Sequence, residues 1–203
     1  MNAPALWYAT RATGIVALVL LTGTMILGLA TTTRAGARNW PGFAQQELHR
    51  RISMIATVFV GIHVLTSVLD TFVTISWAAI IVPFTSSYDR LWVGVGALAL
   101  DLMAAVLISS LLRPRMAPRT WRAVHWLAYL CWPIALAHTF GMGTDAGEAW
   151  VIAPAVACML SVGAALVWRL RVAARSRTLR ADRDLPADSR KHLALAAGMD
   201  RDR

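Results

Sequence analysis

Five apolar runs leave this chain little choice of fold. Residues 12–30, 52–69, 91–112, 124–142 and 149–168 are interrupted by ionisable side chains only at His63 in the second, Asp101 in the third and His125 and His138 in the fourth. Each suffices for a membrane helix of about 17–25 residues. In hydrocarbon the backbone must satisfy its own polar groups, which leaves the α-helix as the conformation for such runs. With 203 residues that are 57% hydrophobic, the chain is too apolar for a soluble domain and too short for several. The expected fold is an all-α integral membrane bundle of about five transmembrane helices.

The formal charge of +9 invites comparison with nucleic-acid binders, but the distribution of the charge argues against one. Arg34, Arg38, Arg50 and Arg51 lie between the first and second runs, Arg113, Arg115, Arg119 and Arg122 between the third and fourth, and ten more basic residues follow Val167. Only Arg11 and Arg90 remain for the opposite face, beside Asp70, Asp89, Asp145 and Glu148. Short basic loops mark the cytoplasmic side. The pattern predicts a multi-pass protein of the cell membrane, N-terminus outside and C-terminus cytoplasmic, with the lipid bilayer as its first partner and no nucleic acid.

Residues 71–88 are mostly apolar and uncharged, yet a sixth span here would split the basic face. Pro83 and the Thr85-Ser86-Ser87 run interrupt its end, so an outer re-entrant or interfacial segment is expected. The first run has no basic stretch before it and reads as a retained span. Cys131 and Cys158 fall inside spans and read as packing residues. Trp7, Trp40, Trp92, Trp121, Trp150 and Trp168 fall near span ends, where the indole suits the headgroup region. Residues 1–170 form the expected membrane domain. Residues 171–203 form a basic cytoplasmic tail that is disordered or lies on the surface, and His192 within it reads as a solvated side chain.

Ionisable residues inside a membrane mark function by default. His49 and His63 stand 14 positions apart at the second run, and His125 and His138 stand 13 apart in the fourth. At about 1.5 Å rise per residue the two levels on each helix are separated by about 20 Å. Both helices start from the same side, so His49 matches His125 in depth and His63 matches His138. Each pair can bridge one iron, and haem is the natural guest. At about 100° per residue the first spacing falls about 40° short of four turns and the second about 140° short. An ideal fourth helix would turn its histidines apart. Pro133 lies between them, so a kink or local unwinding is expected to correct the rotation.

Other readings of these histidines are interhelical hydrogen bonds, bare zinc or copper, and proton carriage together with Asp101 in a transporter. The two levels are too far apart for a dinuclear site, and neither has thiolate or carboxylate neighbours in the sequence. Asp101, near the middle of the third run, needs protonation or a buried partner.

Over residues 7–170 the chain resembles the ferric reductase-like transmembrane domain family, which includes the membrane halves of NADPH oxidases and a bacterial sulfoxide-reductase haem subunit. The resemblance rests on His49-Arg50-Arg51 followed by His63. It rests equally on Trp121-Arg122-Ala123-Val124-His125 followed by Tyr129, Pro133, His138 and Gly143-Thr144-Asp145. It implies two b-type haems with bis-histidine ligation, the inner one on His49 and His125 and the outer one on His63 and His138. Haem carboxylates call for arginines. Arg50, Arg51 and Arg122 suit the inner haem and Arg11 the outer.

Family reductases often add a flavin and nicotinamide region, whereas the residues after the last run here contain no G-x-G-x-x-G turn. A separate flavoprotein reductase or a quinol is then expected as electron donor, with an extracytoplasmic acceptor such as a ferric chelate or a partner redox protein. The resemblance thus implies an oxidoreductase component, a cytochrome b that carries electrons across the bilayer. The alternative is a haem-bearing anchor or sensor subunit without its own turnover.

Overall fold

The computed structural model describes residues 3–31, 41–71 and 73–184. They form α1 (Ala3–Thr31), α2 (Gly42–Leu69), a five-residue α3 (Trp77–Ile81), α4 (Arg90–Leu111), α5 (Pro118–His125), α6 (Ala128–Gly141) and α7 (Ala149–Asp184), with no strand among the described residues. The all-α membrane bundle expected from the sequence is the observed fold. Helices α1, α2, α4 and α7 are each long and apolar enough to cross a membrane. The 124–142 run is divided between α5 and the 14-residue α6.

Exposed large apolar residues show which way the bundle faces. On α2, Met54, Val58, Ile62, Leu65 and Leu69 are exposed at helical spacing. Such a stripe would be costly in water and is the natural lipid face of a span. The interior is sparse by comparison. Leu18, Trp132, Leu136, Ala155 and Cys158 join α1, α6 and α7, and the Trp132 indole donates to the Thr22 hydroxyl at 2.9 Å. Helix α2 packs along α1, and α4 packs along α6. Both cysteines are free and buried, as packing residues should be, and Cys131 lies 3.3 Å from the Ala99 carbonyl.

Between α2 and α4 no helix among the described residues is long enough to cross a membrane. Helix α3 is one turn long, started by Ser76, whose hydroxyl accepts from the Ala79 amide at 3.3 Å. Phe84 and Asp89 take left-handed backbone angles, φ 65° and 34°. This segment packs against α4, as a non-spanning cap.

The expected rotation of the fourth run is found one turn before Pro133. Leu127, Tyr129 and Leu130 donate their amides to Val124, Trp126 and Leu127, a run of three-residue rather than four-residue steps. A proline ring conflicts with the carbonyl four residues earlier, here Tyr129, so the preceding turn is where the ladder must change. Tightening to about 120° per residue adds about 20° at each such step. Three such steps recover about 60° of the 140° that an ideal helix would lack. The same turn rises about 0.5 Å more per residue, which brings the 13-residue step close to the 14-residue one.

Asp101 is half-buried on α4. Helix α7 runs past the expected domain end at 170 as far as Asp184, and His192 lies outside the described residues.

Candidate functional site

The rotation of α6 brings all four histidines to the gap between α2 and the α5–α6 unit. The ring centroids of His63 and His138, here called the upper pair, are 6.4 Å apart with planes crossing at 79°. His49 and His125, the lower pair, are 6.3 Å apart at 64°. Both are too far apart for a hydrogen bond between rings. An ion midway, about 2 Å from each imidazole nitrogen, would place the two ring centres about 6 Å apart.

Main-chain carbonyls decide which nitrogens face the gap. Nδ1 of His63 lies 2.8 Å from the Thr10 carbonyl, Nδ1 of His138 lies 2.7 Å from that of Trp92, and Nδ1 of His49 lies 3.1 Å from that of Thr24. A carbonyl only accepts, so Nδ1 carries the proton in each. Nε2 then keeps a free lone pair, the form a metal requires. His125 differs. Its Nδ1 is buried with no hydrogen-bond partner, and its ring stacks on Trp121 with centroids 5.0 Å apart, while the Arg113 guanidinium lies 4.5 Å from the Trp121 ring centre.

The space around the upper pair is shaped by absent side chains. A cavity of about 200 Å³ is lined by His63 and His138 together with Thr10, Arg11, Gly14 and Gly96, far more than the roughly 10–15 Å³ that one water needs. A Cβ on Gly14 would lie 3.0 Å from the His63 ring, and one on Gly96 would lie 2.7 Å from His138. Ala79 and Ile80 of α3 also line this cavity, so the non-spanning segment helps to cover it.

Arg11 reaches the same cavity but is already matched: Nη2 pairs with Asp145 at 2.8 Å and Nη1 donates to the Met142 carbonyl at 3.4 Å. Gly143 has φ +98°, and the Arg11 guanidinium fills the place a Cβ would need there. The Nε of Arg11 and the hydroxyls of Thr10 and Thr24 are buried without a hydrogen-bond partner. The other three arginines lie on the exposed surface with contacts of their own. Arg50 and Arg51 are exposed and bind Glu47 at 3.0 and 2.7 Å, and Arg122 donates to the Pro118 carbonyl at 3.1 Å. Sequence reasoning missed Gly14, Gly28 and Gly96, the carbonyls of Thr10, Thr24 and Trp92, and the Arg113–Trp121–His125 stack. The 14-residue recurrence of Thr10 and Thr24, and of Gly14 and Gly28, was the available signal.

Among the described residues no cluster of three or more His, Cys, Asp or Glu side chains could hold a metal ion. Two imidazoles on opposite sides of a gap are half a donor set for bare zinc, which takes four ligands. They are a complete axial set for an iron whose equatorial ligands come from a macrocycle. At the upper pair the donor chemistry, the proton positions and the glycine-lined space fit haem, and the lower pair matches it in ring separation.

Fold and site define a helical membrane protein with two facing histidine pairs. The model of the ferric reductase-like transmembrane component matches residues 13–141, and the chain belongs to that family. Domains of this family generally bind haem. Comparison with curated proteins and with solved structures gives no match.

Proposed function

We propose that the protein is a membrane cytochrome b that passes electrons across the bilayer through two stacked b-type haems. The observation that carries this reading is the pair of facing imidazole sets with Nδ1 occupied by backbone carbonyls at three of the four histidines. His49 and His125 would hold the haem nearer the basic, cytoplasmic face, and His63 and His138 the one nearer the outside. Bound there, haem would supply one-electron chemistry. The chain's own contribution would be to hold the group on His49, His125, His63 and His138, to fix the imidazoles, and to surround it with apolar helices that exclude water.

Arg11 at the upper level, and Arg50, Arg51 and Arg122 at the lower, are the proposed cations for the haem carboxylates. The last three are exposed and hold only Glu47 and one main-chain carbonyl, contacts that water can replace. A cytoplasmic flavoprotein or a quinol is the proposed donor, and a ferric chelate or a partner redox protein outside the cell membrane the proposed acceptor. Residues 1–170 would be the di-haem domain, with the remainder cytoplasmic.

The test is a pyridine haemochrome assay with oxidised and dithionite-reduced spectra of the protein purified in detergent. Two b-type low-spin haems per chain are expected. A chain without haem, after expression with ample haem supply, would overturn the proposal and favour proton or metal transport. Stable haem that is reduced but never reoxidised by any acceptor would instead favour an anchor or sensor.

A further inference from the structure

Three of the four histidines meet the same arrangement, one carbonyl followed four residues later by a glycine. The Thr10 carbonyl accepts from His63, and Gly14 faces that ring. The Thr24 carbonyl accepts from His49, and Gly28 faces that ring, its Cβ position 3.6 Å from Cε1. The Trp92 carbonyl accepts from His138, and Gly96 faces that ring. In each case the ring atoms nearest the missing Cβ are Cε1 and Nδ1, the edge that makes the hydrogen bond.

Helix geometry gives the reason. A helical side chain leans toward the N-terminus and covers the turn before its own Cα. The side chain at position i+4 therefore lies over the carbonyl of residue i. That carbonyl already accepts from the i+4 amide but has a second lone pair. With glycine at i+4, an imidazole from a neighbouring helix can reach it. The 14-residue spacing of Thr10 and Thr24 on α1 equals that of His49 and His63 on antiparallel α2, so one helix serves both levels.

We infer that Thr10/Gly14, Thr24/Gly28 and Trp92/Gly96 are three copies of one positioning device, which fixes the tautomer and rotation of three axial ligands and leaves His125 as the adjustable one. The fourth copy is missing. Thirteen residues beyond Trp92 on α4 stand Ala105 and, four further, Ser109, a buried serine whose hydroxyl donates to Val106 at 3.0 Å. A side chain thus occupies the place where glycine would open the carbonyl.

This inference rests on the proposed haem ligation, and the experiment separates the two. Full-length wild type, Gly14→Ala, Gly96→Ala, Gly23→Ala and Gly61→Ala are purified and compared by low-temperature electron paramagnetic resonance of the oxidised protein, with haem counted per chain. Gly23 and Gly61 have nothing within 4 Å of the added methyl and serve as controls on α1 and α2. Expected are a shift or loss of one and the same low-spin signal in Gly14→Ala and Gly96→Ala, the second signal unmoved, and wild-type spectra in both controls. A wild-type far-ultraviolet circular dichroism spectrum in Gly14→Ala and Gly96→Ala, together with the unmoved second signal, guards against misfolding as an explanation. Two haems with signals that all variants leave alike, or that the controls move equally, would overturn the device while leaving the cytochrome reading intact. A wild type without haem would overturn both.

Discussion

The two histidine levels share a ring separation but not a support. At the upper level both Nδ1 atoms are tied to carbonyls, Gly14 and Gly96 flank the rings, and an Arg11–Asp145 pair links α1 to the loop after α6. At the lower level only His49 is tied, and His125 ends a short helix and leans on Trp121 beneath the exposed Arg113. The upper level thus has both rings tied to backbone. The lower one has a tied ring and an untied one, at the end where the basic loops lie and where an electron donor is proposed to approach. A second-sphere hydrogen bond orients a ligand and raises its basicity. Its absence on His125 is a difference in support between the two levels.

The comparison can be broken most directly at the ligands. His63→Ala or His138→Ala should remove one haem of two and spare the lower, and His49→Ala or His125→Ala should do the reverse. Equal loss of both haems from every variant, measured by haemochrome, would dissolve the two-level assignment. Next in size is the upper clasp. Asp145→Asn leaves the Arg11 charge buried beside the cavity without its partner, and breaking such a pair costs roughly 3–5 kcal/mol. A marked fall in thermal stability, with the upper signal more affected than the lower, is the expected result in a detergent melt followed by absorbance.

Carbon monoxide sharpens the contrast further. Added to the dithionite-reduced protein, it should compete for iron at the lower level by displacing His125, and the fraction bound should fall when His125 is better held. Binding at the upper level first would reverse the proposed order of rigidity. Trp121→Leu should perturb the lower centre alone, by a smaller amount, because it removes only the stacking partner. Smallest of all, Glu47→Gln frees Arg50 and Arg51 on the exposed surface and should leave haem content and both spectra unchanged.

Much of this was legible from residue types and spacing. The apolar runs dictated helices, and the 14- and 13-residue intervals set two matched depths, since a short tightened turn changes the rise of the step by only about 1–2 Å. The non-spanning character of 71–88 followed from Pro83 and its polar end. Rotation was harder to read, because an error of 20° per residue accumulates over a few residues and hydrogen bonds choose between steps of three and four. Pro133 announced a disturbance, and the turn around residues 126–130 is where it fell. Spacing placed the arginines beside His49 and His125 near the lower pair, but not the partners they take within their own helices, Glu47 for Arg50 and Arg51 and the Pro118 carbonyl for Arg122.

By itself, the sequence determined that this chain is a helical membrane bundle with two histidine levels, because hydropathy and helical rise are local properties that neighbours cannot overrule. Only the tertiary structure decided which nitrogen each imidazole presents and how firmly it is held. That choice depends on carbonyls brought from helices 25 to 53 residues away and on glycines that matter only once another helix lies against them.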